Sequence, residues 1–87
     1  MVNVKLRGIA EGRLGKASIV SSGATVGEIV KDVTFKDADL KRNLFDEKTN
    51  KPRLICRVLV NGKLATVDQQ VDAGDDVMLG GVTTCDG

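Results

Sequence analysis

Arg53-Leu54-Ile55-Cys56-Arg57-Val58-Leu59-Val60-Asn61-Gly62 is the stretch on which the fold turns. A run rich in aliphatic and β-branched side chains leads into Asn-Gly, the dipeptide best suited to the positive φ angles of a tight hairpin. The run reads as the strongest strand of the chain, and the chain doubles back after it. Period two divides its side chains between two faces. Leu54, Cys56 and Val58 share one face, on which Cys56 is expected to be an inert core thiol. Arg53, Ile55, Arg57 and Leu59 share the other.

Toward the C-terminus, a short extended piece is expected between Leu64 and Val67. Val71-Asp72-Ala73-Gly74-Asp75-Asp76 is a turn-rich entry to a last strand, Val77-Met78-Leu79. Asp72, Asp75 and Asp76 lack the ligand spacing of a calcium loop, so turn formation is their expected role and no metal site is expected. Gly80-Gly81 is read as the end of regular structure. The domain is then residues 1–81, and residues 82–87 are a flexible tail.

Toward the N-terminus, Asp46–Pro52 reads as a mobile polar loop. Lys36–Phe45 reads as a short helix that turns Leu40 and Leu44 inward. Thr25-Val26-Gly27-Glu28 has the form of a capping box: a Thr that caps the first turn and a Glu that reaches back to the cap residue's amide. Val26, Ile29, Val30 and Val33 then supply a helical apolar stripe. Val2-Asn3-Val4-Lys5-Leu6-Arg7 alternates, which sends Val2, Val4 and Leu6 inward. Glu11–Lys16 carries two glycines and reads as a hairpin connection to a second strand, Ala17–Ser21. The order strand, strand, helix, short helix, strand, short strand, strand predicts an α+β domain, a helix packed on one sheet face. If the terminal strands pair in the centre, the result is a β-grasp: a mixed four- to five-stranded sheet on one main helix.

Composition narrows function. Thirteen basic and twelve acidic residues leave a net charge of +1, and Phe35 and Phe45 are the only aromatic residues. A nucleic-acid partner would call for a basic surplus or stacking platforms, so none is expected. No apolar run reaches the length of a membrane span, and the N-terminus has no signal-peptide layout, so a cytoplasmic protein is expected. Histidine is absent, which removes the commonest general base and metal ligand. No phosphate-binding loop or dinucleotide fingerprint is present. No catalytic residue and no bound cofactor are expected.

Three fragments resemble one family. Gly23-Ala24-Thr25-Val26-Gly27-Glu28-Ile29-Val30, Val58-Leu59-Val60-Asn61-Gly62-Lys63 and Val71–Leu79 resemble, in order and spacing, stretches of the MoaD/ThiS-like sulfur carriers of the ubiquitin-like β-grasp superfamily. The resemblance implies a carrier whose C-terminal glycine carboxylate is adenylated by an E1-like enzyme that consumes ATP. The glycine is then loaded as a thiocarboxylate and gives its sulfur to a biosynthetic enzyme of the molybdopterin or thiamine type. Carried over, the acyl position is Gly87, preceded by the tail residues Thr83, Thr84, Cys85 and Asp86. The family's Gly-Gly ending is matched at Gly87 and departs at Asp86. A cut after Gly81 would leave a reach past Leu79 of only about 7 Å, against about 28 Å for the whole tail. Arg53, Ile55, Arg57, Leu59 and Met78 are the expected partner-binding residues, with Lys5 and Arg7 on the same face. A ubiquitin-like modifier ending at the same glycine, or a non-conjugating β-grasp binding module, are the alternatives.

Overall fold

Apolar side chains alternate strictly along the first strand, and the burial follows them. In the computed structural model, which describes residues 1–53 and 56–81, β1 (Val2–Leu6) buries Val2, Val4 and Leu6 and exposes Asn3 and Lys5. β2 (Ser18–Ser21) runs antiparallel to it, with Val4 opposite Ile19. The connection between them is not the expected plain hairpin. Gly8–Leu14 forms a helix, α1, that ends on Gly15 in the left-handed conformation, its N–H bonded to the Glu11 carbonyl at 2.9 Å. Ala10 and Leu14, four residues apart, share one helical face and pack on the core. So little apolar material, interrupted by Gly12, leaves almost no helical signature, and the glycines read as turns.

α2 (Val26–Thr34) is the main helix. Thr25 caps it, its Oγ1 accepting from the Glu28 N–H at 3.3 Å. Glu28 reaches back as expected but takes the N–H of Ala24 at 2.9 Å rather than that of Thr25. Val26, Ile29, Val30 and Val33 are buried against the sheet, each contributing about 1.5–3 kcal/mol by its removal from water. α3 (Ala38–Leu44) is capped by Asp37, whose carboxylate accepts from the Leu40 N–H at 3.2 Å, and it buries Leu40 and Leu44.

The segment expected to be a mobile loop is partly ordered. β3 (Phe45–Asp46) and β4 (Lys51–Pro52) form a two-stranded antiparallel ribbon. Phe45 is buried and meets Phe35 edge to face, the centroids 5.4 Å apart. This buried ring closes a ribbon that the polar sequence between its strands conceals.

β5 (Cys56–Val60) turns through Asn61 and Gly62, both at positive φ, into β6 (Lys63–Leu64). β7 (Val77–Gly81) completes a five-stranded sheet of order β2-β1-β7-β5-β6. β1 and β7 are parallel neighbours in its centre, as expected for a β-grasp, and the other pairs are antiparallel. One expectation fails here. Gly80 and Gly81 do not end regular structure; they stand in the ladder opposite Arg57 and Cys56. A strand neighbour on β5 supplies backbone partners, which suffice to keep residues without side chains in a sheet. Ile55 and Leu54, and the tail residues Val82, Thr83, Thr84, Cys85, Asp86 and Gly87, lie outside the described residues.

Candidate functional site

All the helices pack on one face of the sheet, so the other face meets solvent. Its side chains are fixed by register. One row crosses all five strands, Ser18, Lys5, Met78, Leu59 and Leu64, each paired with the next. Met78 and Leu59 at its centre are half-buried, and Leu64 at its end is 61% exposed. Adjacent apolar side chains on an outward sheet face form a patch, which is more informative than any one of them alone. Lys5 is held at the border of the patch by Asp76, at 3.4 Å.

The next row holds Arg7, Gly80 and Arg57. The Arg7 N–H bonds the Leu79 carbonyl at 2.9 Å, and Arg57 pairs with Gly80. A Cβ on Gly80 would lie 3.2 Å from that of Arg7, so the glycine lets β1 and its neighbour approach closely. Two exposed arginines therefore flank β7 near the point where it leads into residues 82–87. The patch is apolar in the middle and basic at this end.

Of the residues expected to bind a partner, Arg57, Leu59 and Met78 come together here. Arg53 does not join them. It precedes β5, accepts from the Cys56 N–H on its carbonyl at 3.0 Å, and turns its side chain to α3, where Nε donates to the Arg42 carbonyl at 2.9 Å. Ile55 and Gly87 are outside the described residues. Leu64 was missed by sequence reading, because a two-residue strand is too short to show alternation. Its pairing with Leu59 across the Asn-Gly turn is the signal that would have placed it.

The rest of the chemistry is structural. Cys56 faces the core side, and burial pushes its thiol up to about 12. Asp75 accepts from the Asp72 N–H at 2.8 Å and from Asn61 Nδ2 at 3.0 Å, bonds that hold its carboxyl below the ordinary range. Asn61 Oδ1 in turn accepts from the Asp76 N–H at 2.9 Å. The acidic segment thus clamps the β5–β6 turn to the start of β7. Among the described residues no group of His, Cys, Asp or Glu is arranged to hold a metal ion, and no helix is long and apolar enough to cross a membrane.

Comparison with protein-family models and with curated protein sequences finds no match. Solved structures do match over almost the whole chain. Small archaeal modifier protein 1 of Methanosarcina acetivorans is 22% identical over 95% of this chain and 93% of its own, with a TM-score of 0.80. The BexX/CysO complex of Amycolatopsis orientalis contains a chain 27% identical over 95% of this one and 97% of its own, at 0.73. CysO of Mycobacterium tuberculosis is 20% identical over 95% of this chain and all of its own, at 0.72. These neighbours agree with the resemblance carried by the three sequence fragments. The chain therefore has the ubiquitin-like β-grasp fold that these modifier and CysO structures share.

Proposed function

We propose that this domain is a sulfur carrier that is handled by partner enzymes and catalyses nothing itself. The proposal requires a free carboxylate at Gly87. In the first step a carboxylate oxygen attacks the α-phosphorus of ATP in an E1-like partner, giving the acyl-adenylate and releasing pyrophosphate. In the second a sulfide nucleophile attacks the acyl carbon and AMP leaves, which yields the thiocarboxylate. A second partner then accepts the sulfur in making molybdopterin, thiamine or a related product. Because these partners use ATP, the proposal puts the protein in the cytoplasm.

The observation that carries the reading is the match over 95% of the chain to a chain of the BexX/CysO complex and to a small archaeal modifier protein; in this chain β7 occupies the sheet centre. That strand immediately precedes residues 82–87 in the sequence, and its outward residue Met78 stands in the apolar row. A partner that grips the row is thereby close to the strand that feeds the tail. The conjugating alternative draws on the match to a small archaeal modifier protein. There a lysine amine attacks the same acyl-adenylate, an isopeptide bond forms, and AMP and a proton are released.

Intact mass after incubation with an E1-like enzyme, ATP and sulfide tests both. Exchange of one oxygen for sulfur, lost on deletion of Gly87, is the expected result for a carrier. Lysine adducts that need Gly87 would make it a modifier. An unchanged mass with active E1-like enzymes would overturn both readings in favour of a binding module.

A further inference from the structure

The sheet has an unfinished edge. β6 pairs only with Leu59 and Val60 of β5. Beyond that pair the Ala65 N–H reaches the Val58 carbonyl at 2.9 Å, and no strand adjoins β5 from Cys56 to Val58 on this side among the described residues. Val58 directs its carbonyl away from β7, so antiparallel alternation sends the backbone groups of Cys56 and Val58 to the same free side. The Cys56 N–H is taken by the Arg53 carbonyl. Among the described residues the Cys56 carbonyl and the Val58 N–H have no backbone partner on this side, and they form an acceptor and a donor spaced as in a ladder.

A cleft of about 270 Å³ opens along this edge. Val26, Cys56 and Val58 line it from the core side, and Pro52, Leu64 and Val67 stand around them. The volume falls under the range of about 300–1,000 Å³ usual for small-molecule sites. It suits the side chains of a peptide better than a cofactor. Its charge is one-sided: Lys51, Arg53 and Arg57 line it, and among the described residues no carboxylate does. None of the three joins an ion pair among the described residues, whereas Lys5, Arg13, Lys41 and Arg42 all do. Arg53 is also held in place by its bond to the Arg42 carbonyl.

We infer that this edge and cleft form a second docking site, which takes an extended acidic segment of a partner protein as an added strand. Main-chain bonds to Cys56 and Val58 supply the register, alternate apolar side chains enter the cleft, and carboxylates between and beyond them meet Lys51, Arg53 and Arg57. The site adjoins the solvent-facing row, with which it shares Leu64 and the basic side chain of Arg57, but it is centred on the edge of β5 and not on Leu59 and Met78. It does not depend on what happens at Gly87.

The test uses the whole chain, labelled with nitrogen-15 and titrated with the peptide acetyl-Asp-Val-Asp-Val-Asp-amide. Amide shifts that saturate at Cys56, Arg57, Val58 and Ala65 are expected. The Lys51→Glu and Arg53→Glu variants should each weaken binding roughly three- to fivefold, as rim charges do. The double variant should favour the peptide with lysine in place of aspartate. N-methylation of the two valines removes their N–H donors and should abolish the saturable shifts. Four outcomes would each overturn the inference: no saturation, an equal response to acidic and basic peptides, undiminished binding of the N-methyl peptide, or shifts confined to Lys5, Leu59 and Met78. Peptide-free, concentration-dependent shifts at the edge would also overturn it, since a second copy of the chain would then be the occupant.

Discussion

Gly23 shows what a single missing side chain contributes. A Cβ there would lie 2.8 Å from the Ile29 backbone nitrogen and 2.9 Å from Ile29 Cγ1. The chain crosses the start of α2 at a distance that only glycine permits, and Ile29 is fully buried beneath it. Gly23→Ala should therefore destabilise the domain by about 1–3 kcal/mol, the usual cost of overpacking, read as a lower urea midpoint at unchanged slope. Cys56 illustrates the opposite case, a reactive group silenced by its surroundings. With its thiol pushed up to about 12 by burial, its thiolate fraction near pH 8 is about a thousandfold below that of an ordinary exposed cysteine. Iodoacetamide followed by peptide mapping should label Cys56 slowly in the folded protein and rapidly in urea; equal rates would show that the thiol is not shielded.

At the scale of elements, local hydrogen bonds set where helices and turns begin. Thr25→Ala removes the cap of α2 and should cost about 1 kcal/mol, checked by thermal unfolding. Asp37 joins two helices: it caps α3 while Arg13 of α1 donates to it through Nε at 3.0 Å and through a terminal nitrogen at 3.3 Å, the same nitrogen forming an ion pair with Asp39 at 2.9 Å. The Arg13 hydrogen bond leads in holding the Asp37 carboxyl below its ordinary range, and the Asp72 N–H leads in doing the same for Asp75. A folded-state pKa below the unfolded value means that the charged form is favoured by folding. The contribution is present above the ordinary aspartate range near pH 4 and is lost as pH falls through the lower folded values. These two groups should thus make stability fall as pH drops below about 4. Asp37→Asn and Asp75→Asn should each start from lower stability at pH 7 and show a shallower acid decline in urea titrations run at a series of pH values.

At the scale of the whole molecule, the topology was legible because its signals are long-range consequences of simple patterns. Alternation in Val2–Leu6 and β-propensity from Cys56 to Val60 specify half-buried strands, and a capped helix between them needs a sheet face to cover. What escaped sequence reading lacks periodicity: α1 turns only Ala10 and Leu14 inward, the β3–β4 ribbon is two residues wide, and β7 continues through Gly80 and Gly81 on backbone pairing alone. The candidate docking face was half legible for the same reason. Arg57, Leu59 and Met78 follow from strand parity, while Leu64 enters and Arg53 leaves through pairings that parity does not encode. The face can be tested as a unit. Leu59→Asp and Leu64→Asp place charge on paired positions of its apolar row, at side chains that do not belong to the buried core. Val20→Asp places the same charge on the same solvent side, 54% exposed on β2 and opposite Asn3, away from the row. If a partner grips the row, the first two variants should lower kcat/KM for E1-dependent thiocarboxylate formation at least about tenfold each, the effect of a central interface residue, with thermal midpoints near the parent's. Val20→Asp should leave both quantities unchanged. Equal losses in all three would assign the effect to charge on the domain as a whole, and no loss in the first two would remove the row from partner recognition.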